Sequence, residues 1–448
     1  MNVLVRLASA ANLPAGATLT IILAGMLAEG ANTPPAAALL SGALVFALLL
    51  VVSARPSEGV LRVMAANRVT IFAAGMFVFL AALSTVPLSG HVQTIFANPL
   101  AESFHETSVA ASLAPTSTLE GIVAFLGPSA GFMLGALATA DRTRSTVSLW
   151  LCAFTVVLAL YSLWSFFSEQ APLRLDGRIG SANAAAALFG ALALFADVRV
   201  VHCGSLASRN KALPSISPTL AWLFAPLRAP LATSAFTLAI ACALLTASRG
   251  GLAATAIGFG VFAALLSVRA GGPSRFLVAG PALALAAMGL WLIILGNDQV
   301  LSRLGDVSEA LAGRQELLAP HWSAFIARPL TGHGLNTFHE LNAMAQTPEN
   351  WPALSIAGAT HNIYVQALEE TGLIGLGLFS LMLAPPLWRA LVSALNDNSA
   401  PYWGAGVYAA SFLFLIHGVM DFALQIPAIG ALFAFCLGAF SPLAHKNQ

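Results

Sequence analysis

The chain has 448 residues, of which 58% are hydrophobic and only 9% charged, against about 25% charged in an ordinary soluble domain. That composition excludes a water-soluble protein. With 20 Lys and Arg against 19 Asp and Glu, the net charge of +1 offers no basis for nucleic-acid binding or for a polybasic membrane anchor.

Continuous apolar runs, at roughly 20 residues per bilayer crossing, predict membrane helices over 8–28, 35–54, 67–88, 119–140, 146–167, 182–201, 229–248, 251–268, 275–295, 372–391, 402–420 and 425–443. Prolines and glycines punctuate the gaps, as in Thr33-Pro34-Pro35, Arg55-Pro56-Ser57 and Gly271-Gly272-Pro273. Arg6 before the first run gives it some character of a signal peptide. Without a cleavage site ahead of the second run, it reads as a retained helix. The fold class is therefore an all-α polytopic membrane protein with about twelve transmembrane helices. Residues 1–295 carry nine of them, 296–371 form one long outer loop with short helices, and 372–448 carry the last three.

Lys and Arg favour cytoplasmic loops. With the N-terminus inside, 14 of the 20 face the cytoplasm, including Arg55, Arg199 and Arg389. Arg174, Arg178, Arg249, Arg303, Arg314 and Arg328 face outward, as do most carboxylates, among them Glu102, Glu106, Glu120 and Glu340. Both termini then lie in the cytoplasm, and the long loop lies on the far side. A second outer loop over 89–118 carries His91 and His105 in no recognisable spacing. Cys152, Cys203, Cys242 and Cys436 form no CxxC pair and read as small hydrophobes.

Two of the outward arginines adjoin apolar runs. Arg178 sits in Asp176-Gly177-Arg178-Ile179-Gly180-Ser181-Ala182-Asn183, and Arg249 in the short turn Ser248-Arg249-Gly250-Gly251. An interfacial arginine ordinarily snorkels to lipid phosphates. A pair at one depth also suits a diphosphate, because the guanidinium is a permanently charged bidentate donor.

In the long loop, Arg314 precedes Leu318, Trp322 and Ile326 at steps of four, which predicts a helix with one apolar face that Pro320 kinks or starts. Gly332-His333-Gly334 makes a tight reversal, a weak signal for a phosphate loop. The segment Thr360-His361-Asn362-Ile363-Tyr364 predicts a returning helix capped by Thr360, with His361 in its first turn. That histidine is either an interface residue or a general base for a sugar hydroxyl. His417 and Asp421, four apart at the outer end of the eleventh helix, read as a hydrogen-bonded pair tying helices together. His321, His333 and His339 lack the ligand spacing of a zinc site.

The order Gly177-Arg178 with Asn183, Ser248-Arg249-Gly250, Gly313-Arg314 with Trp322, Pro329-Leu330-Thr331-Gly332-His333-Gly334 with Phe338, then His361-Asn362 with Tyr364, Glu370 and Gly372 resembles the O-antigen ligase and polymerase family. The resemblance runs from about 115 to the end and is specific between about 245 and 380. It implies a GT-C type glycosyltransferase of the bacterial inner membrane whose donor is a glycan on undecaprenyl diphosphate at the periplasmic face. By position, Arg178 and Arg249 would bind the diphosphate, Arg314 would support them, and His361 would lie beside the acceptor hydroxyl. Asn183, Asn362 and Tyr364 would line the substrate site. Inverting transfer without metal or other cofactor is expected, because diphosphate is a good leaving group and guanidinium groups can meet its charge.

Three readings remain open. Polymerisation of lipid-linked repeat units is preferred on Ser112-Leu113-Ala114-Pro115-Thr116, which is similar to exopolysaccharide polymerases. The alternatives are ligation to the lipid A core and a flippase that forms no bond.

Overall fold

A computed structural model describes residues 13–87, 98, 110–139, 144–168, 174–209, 229–270, 307–396 and 401–442. Among these, every element is helical. In chain order, α1 spans Leu13–Leu27, α2 Pro34–Ala54, α3 Ser57–Ala66, α4 Arg68–Ser84, α5 Pro115–Ala138, α6 Arg144–Ser168, α7 Ala182–Arg209, α8 Pro230–Leu245 and α9 Arg249–Ala270. The connecting region that follows holds α10 at Val307–Ala327, α11 at Phe338–Ala345 and α12 at Trp351–Leu354. The chain finishes with α13 at Ile363–Asn396, α14 at Pro401–His417 and α15 at Pro427–Phe440.

Six of these helices are long and apolar enough to cross a bilayer: α2, α5, α6, the stretch Ala182–Cys203 of α7, Arg249–Arg269 of α9, and α13. A seventh span results if α3 and α4, bent by 78° at Asn67, act as one. The protein is thus an all-α, multi-pass membrane protein. The count falls short of the expected twelve for two reasons. Four apolar helices, α1, α8, α14 and α15, have 15, 16, 17 and 14 described residues, and the run at 275–295 lies outside the described residues.

Small residues set the packing. Helix α7 is the centre of the bundle, with 94% of its apolar window buried, and it presents Ala184 to Ala187 and Gly190 to its neighbours. Helices α5 and α15 approach until backbones touch. A Cβ on Gly131 would stand 2.9 Å from the Ala431 carbonyl, and one on Gly135 or Gly438 would collide with the Phe435 or Phe132 carbonyl. In lipid, where apolar burial gives little drive between helices, such close approach maximises dispersion contact. The four cysteines form no disulfide; Cys152, Cys242 and Cys436 are core fillers.

Two arginines assigned to cytoplasmic loops are instead built into helices. Arg199 is buried in α7, where its guanidinium donates to the Ser145 carbonyl and, at 2.6 and 2.9 Å, to the hydroxyls of Ser145 and Ser148 at the start of α6. Arg389, in α13, donates to the Ala66 carbonyl at 3.1 Å and to Asn67 Oδ1 at 2.6 Å, bracing the α3–α4 bend. Both long side chains satisfy backbone carbonyls that the bilayer cannot solvate.

The region from α10 to the start of α13 also departs from expectation. Helix α13 starts at Ile363 and continues through a break at Gly372 (φ 65°, ψ −168°), rather than starting after it. Helix α10 runs through Pro320 without starting there. Its buried face is Leu317, His321 and Phe325, so Trp322 and Ile326 point outward. The sequence-level apolar stripe is the uncovered one.

Candidate active site

Five turns meet at one end of the bundle, three of them joined in sequence by hydrogen bonds and the other two by the contact of His361 with Asp421. Asn32, between α1 and α2, donates to the Ile179 carbonyl at 2.7 Å. Leu175 N–H donates to the Leu245 carbonyl at 3.0 Å. Arg174 donates through Nε to the Thr246 carbonyl at 2.7 Å and through Nη2 to Asn183 Oδ1 at 2.9 Å. Ser248 donates to the same Asn183 oxygen at 2.9 Å. Beyond Arg249, a Cβ on Gly250 would stand 3.6 Å from Met420 Sδ, in the turn between α14 and α15. That turn reaches His361.

Strain collects at this end. Among the described residues, non-glycine positive φ occurs at Glu29, Ala31, Arg178, Ala247, His361 and Asn336, and the first five lie in these turns. Such conformations cost of order 1–3 kcal/mol each and cluster where function holds them in place.

His361 precedes α13 with φ 54°. It is not in the first turn, and Thr360 is not the cap. Asn362 caps the helix, its Oδ1 accepting the backbone N–H groups of Tyr364 at 3.0 Å and Val365 at 3.1 Å. Thr360 Oγ1 instead donates to the Asn362 carbonyl at 2.8 Å. Tyr364 Oη donates to the Leu415 carbonyl at 2.7 Å, and Ile363 N–H donates to the Gly418 carbonyl at 2.9 Å. Asn362 and Tyr364, expected to line a substrate site, therefore fix the histidine's backbone against α14. Asn183 likewise clamps two turns.

The imidazole Nδ1 of His361 lies 3.1 Å from Asp421 Oδ1, with 36% of the histidine side chain exposed and 1% of the aspartate. Phe422 packs on the ring at 5.1 Å in an edge arrangement. A buried carboxylate at Nδ1 selects the tautomer with Nδ1–H facing it, which leaves the Nε2 lone pair for a proton from elsewhere. His417 Nε2 is 4.0 Å from Asp421 Oδ2. The two do not share a helix face, because α14 ends at His417 and Asp421 lies in the turn beyond. Asp421 is the residue the sequence reading left outside the site.

Arg178 and Arg249 are both exposed on this end. Arg178 is held in its left-handed turn by Asp176 Oδ1, which accepts its backbone N–H at 2.8 Å. Arg249 is the first residue of α9, just after the cap Ser248, whose Oγ accepts the Gly251 N–H at 3.2 Å. Helices α2, α7, α9, α13 and α15 all start here, and each N-terminus adds partial positive charge. Arg314 lies in α10, with its side chain outside the described residues, as are His91 and His105.

The glycine-rich motif has a structural job. The Arg328–Gly334 segment lies against the break in α13: His333 and Gly334 N–H groups donate to the Glu369 and Glu370 carbonyls, both at 2.8 Å, and Leu373 N–H donates to the Pro329 carbonyl at 2.8 Å. A Cβ on Gly332 would collide with the Glu370 carbonyl, and one on Gly372 with Leu330. Glu370 accepts the Asn336 N–H at 2.8 Å and the Gln366 amide at 3.0 Å. Behind it, buried His321 meets Glu369 Oε2 through Nδ1 at 2.6 Å and stacks on Phe338 at 4.9 Å. Burial pushes the His321 imidazole down to about 4, so it is uncharged at neutral pH. His333 is lowered too, chiefly by burial, and its ring bonds the Ala324 carbonyl at 2.9 Å. These groups clasp the segment after α10 to α13, and the backbone donors of Gly332-His333-Gly334 are not arranged as a phosphate cradle.

The described residues thus place a carboxylate-oriented histidine and two exposed arginines in one group of turns of a multi-pass helical membrane protein. Residues 234–380 match the family model described as O-antigen ligase. The matched stretch contains Arg249, the clasp and His361, and it supports an enzymatic role for the chain. No curated protein matches the chain.

Proposed function

We propose that the protein transfers a glycan from a polyprenyl diphosphate, of the undecaprenyl kind, to the hydroxyl of a lipid A core acceptor at the periplasmic end of the bundle. In this reading the acceptor hydroxyl attacks the anomeric carbon and gives its proton to His361 Nε2. The bond to the diphosphate breaks with inversion. Asp421 stabilises the imidazolium that forms, and a positioned base of this kind contributes about a hundredfold or more. Arg178, Arg249 and the α9 N-terminus meet the charge on the departing diphosphate, at about 1.5–3 kcal/mol per charged hydrogen bond. The chemistry requires no strong acid. The reading carries with it twelve crossings and cytoplasmic termini, with Arg199 and Arg389 at the cytoplasmic ends of their helices.

The observation that supports it most is the His361–Asp421 pair in the same group of turns as Arg249. Ligation is favoured over polymerisation for two reasons. The matching family is described as O-antigen ligase. The segment that suggested a polymerase has a packing explanation, since Leu113 N–H donates to the His333 carbonyl at 2.6 Å and Ser112 bonds Thr118 at 2.8 Å. The enzyme-family match also weighs against a flippase. The test is purified protein in vesicles with lipid-linked donor, with and without lipid A core. Transfer only when the core is present supports ligation; a product ladder without it restores polymerisation, and translocation of intact donor without bond formation returns the flippase.

A further inference from the structure

Helix α10 and the turn after it expose apolar side chains that no described residue covers: Trp322 and Ile326, one helical turn apart, are 48% and 58% exposed, and Leu330, three residues past the helix end, is 60% exposed. Its opposite face is fixed by the contact of His321 with Glu369. Three observations bear on what covers the stripe. First, it continues into the uncovered face of a membrane span. Ile374 N–H donates to the Leu330 carbonyl at 3.1 Å, and Leu373 and Ile374 of α13 are themselves 51% and 44% exposed. Second, it sits below the site. Helix α13 descends from Ile363 alongside the last turn of α14, so Leu373 lies about 15 Å down the axis from its start at 1.5 Å per residue. Third, Trp322 has the apolar body and single N–H donor favoured where hydrocarbon meets headgroups.

We infer that Trp322 and Ile326 of α10, with Leu330 of the turn that follows, are inserted into the outer leaflet, their partner being lipid acyl chains and glycerol groups. The outer region is then a wedge held at fixed depth in the bilayer, and the clasp at Gly332 and Gly372 is the joint between wedge and bundle. Lipid contact also explains why α10 turns its most apolar stripe outward, which a water-facing helix would not do. The inference stands apart from the reaction proposed for His361.

The experiment compares tryptophan emission of the full chain and of its Trp322→Phe variant in phosphatidylcholine vesicles whose acyl chains carry bromine near the carbonyl. The difference spectrum isolates Trp322. Loss of most of its intensity in brominated vesicles, with little quenching by aqueous iodide, is the expected result. Quenching by iodide and not by bromolipid would place the stripe in water and overturn the inference. Protection from both would mean a protein surface covers it, a second copy included, and would overturn it as well. Ile326→Trp on the Trp322→Phe background repeats the reading one turn further along, so the outcome does not hang on a single variant.

Discussion

Asp421 Oδ1 stands 3.1 Å from His361 Nδ1 across 60 residues of chain, with the carboxylate buried and the imidazole open on its other side. The pair predicts that Asp421→Asn leaves the fold and donor binding intact but lowers turnover by about a hundredfold or more, because the amide no longer selects the tautomer whose Nε2 accepts a proton. Steady-state transfer assays beside donor-binding measurements check this. Unchanged turnover would make the aspartate a packing residue.

Arg249 opens α9 next to the turn that carries Asp421. Replacing it by Lys keeps the charge and removes the bidentate fork. The expected loss is roughly ten- to hundredfold in kcat/KM, the equivalent of one charged hydrogen bond of about 1.5–3 kcal/mol. Near-normal kcat/KM in the lysine variant would show that a point charge suffices.

The clasp predicts stability effects distinct from catalytic ones. Gly332→Ala places a Cβ against the Glu370 carbonyl at φ 66°, so it should destabilise by about 2 kcal/mol or more. Gly377→Ala, with nothing within 4 Å, should be neutral to slightly stabilising, since it lies in α13. Thermal unfolding in detergent distinguishes the two.

His321 gives the clasp a pH dependence of definite sign. Its folded value of about 4 lies below the ordinary 6.5, so the unfolded chain takes up the proton first as pH falls. The stability associated with the neutral ring is complete above pH 6.5 and is lost as the pH falls towards about 4. The melting temperature of the wild-type protein relative to that of His321→Asn should therefore fall as the pH drops across that interval, as read by thermal unfolding of both proteins at a series of pH values.

The apolar runs at 35–54, 146–167 and 182–201 correspond closely to α2, α6 and α7, because in a bilayer the run itself is the folding signal. Turn details were less legible. Asn362 rather than Thr360 caps α13 because the chain enters the helix through His361 at positive φ, which residue preferences do not indicate. The buried face of α10 includes His321, whose partner Glu369 is 48 residues away, so a search for apolar periodicity selects the wrong side. His361 and Arg249, singled out by residue type and placement, lie in one group of turns. Asp421 was tied to His417 by spacing, and its contact with His361 depends on α14 ending at Gly418, a turn tightened where a Cβ on Gly418 would meet Ile363. Arg174 was counted among the outward arginines without a part in the site, because its role is to join the Asn183 and Thr246 turns.

The most direct test of the account is single-turnover transfer by His361→Ala with donor affinity measured on the same preparation. Proton acceptance by His361 predicts a collapse in the transfer rate at saturating donor, with the donor dissociation constant close to wild type. An equal collapse in donor affinity, or transfer at the wild-type rate, would contradict it.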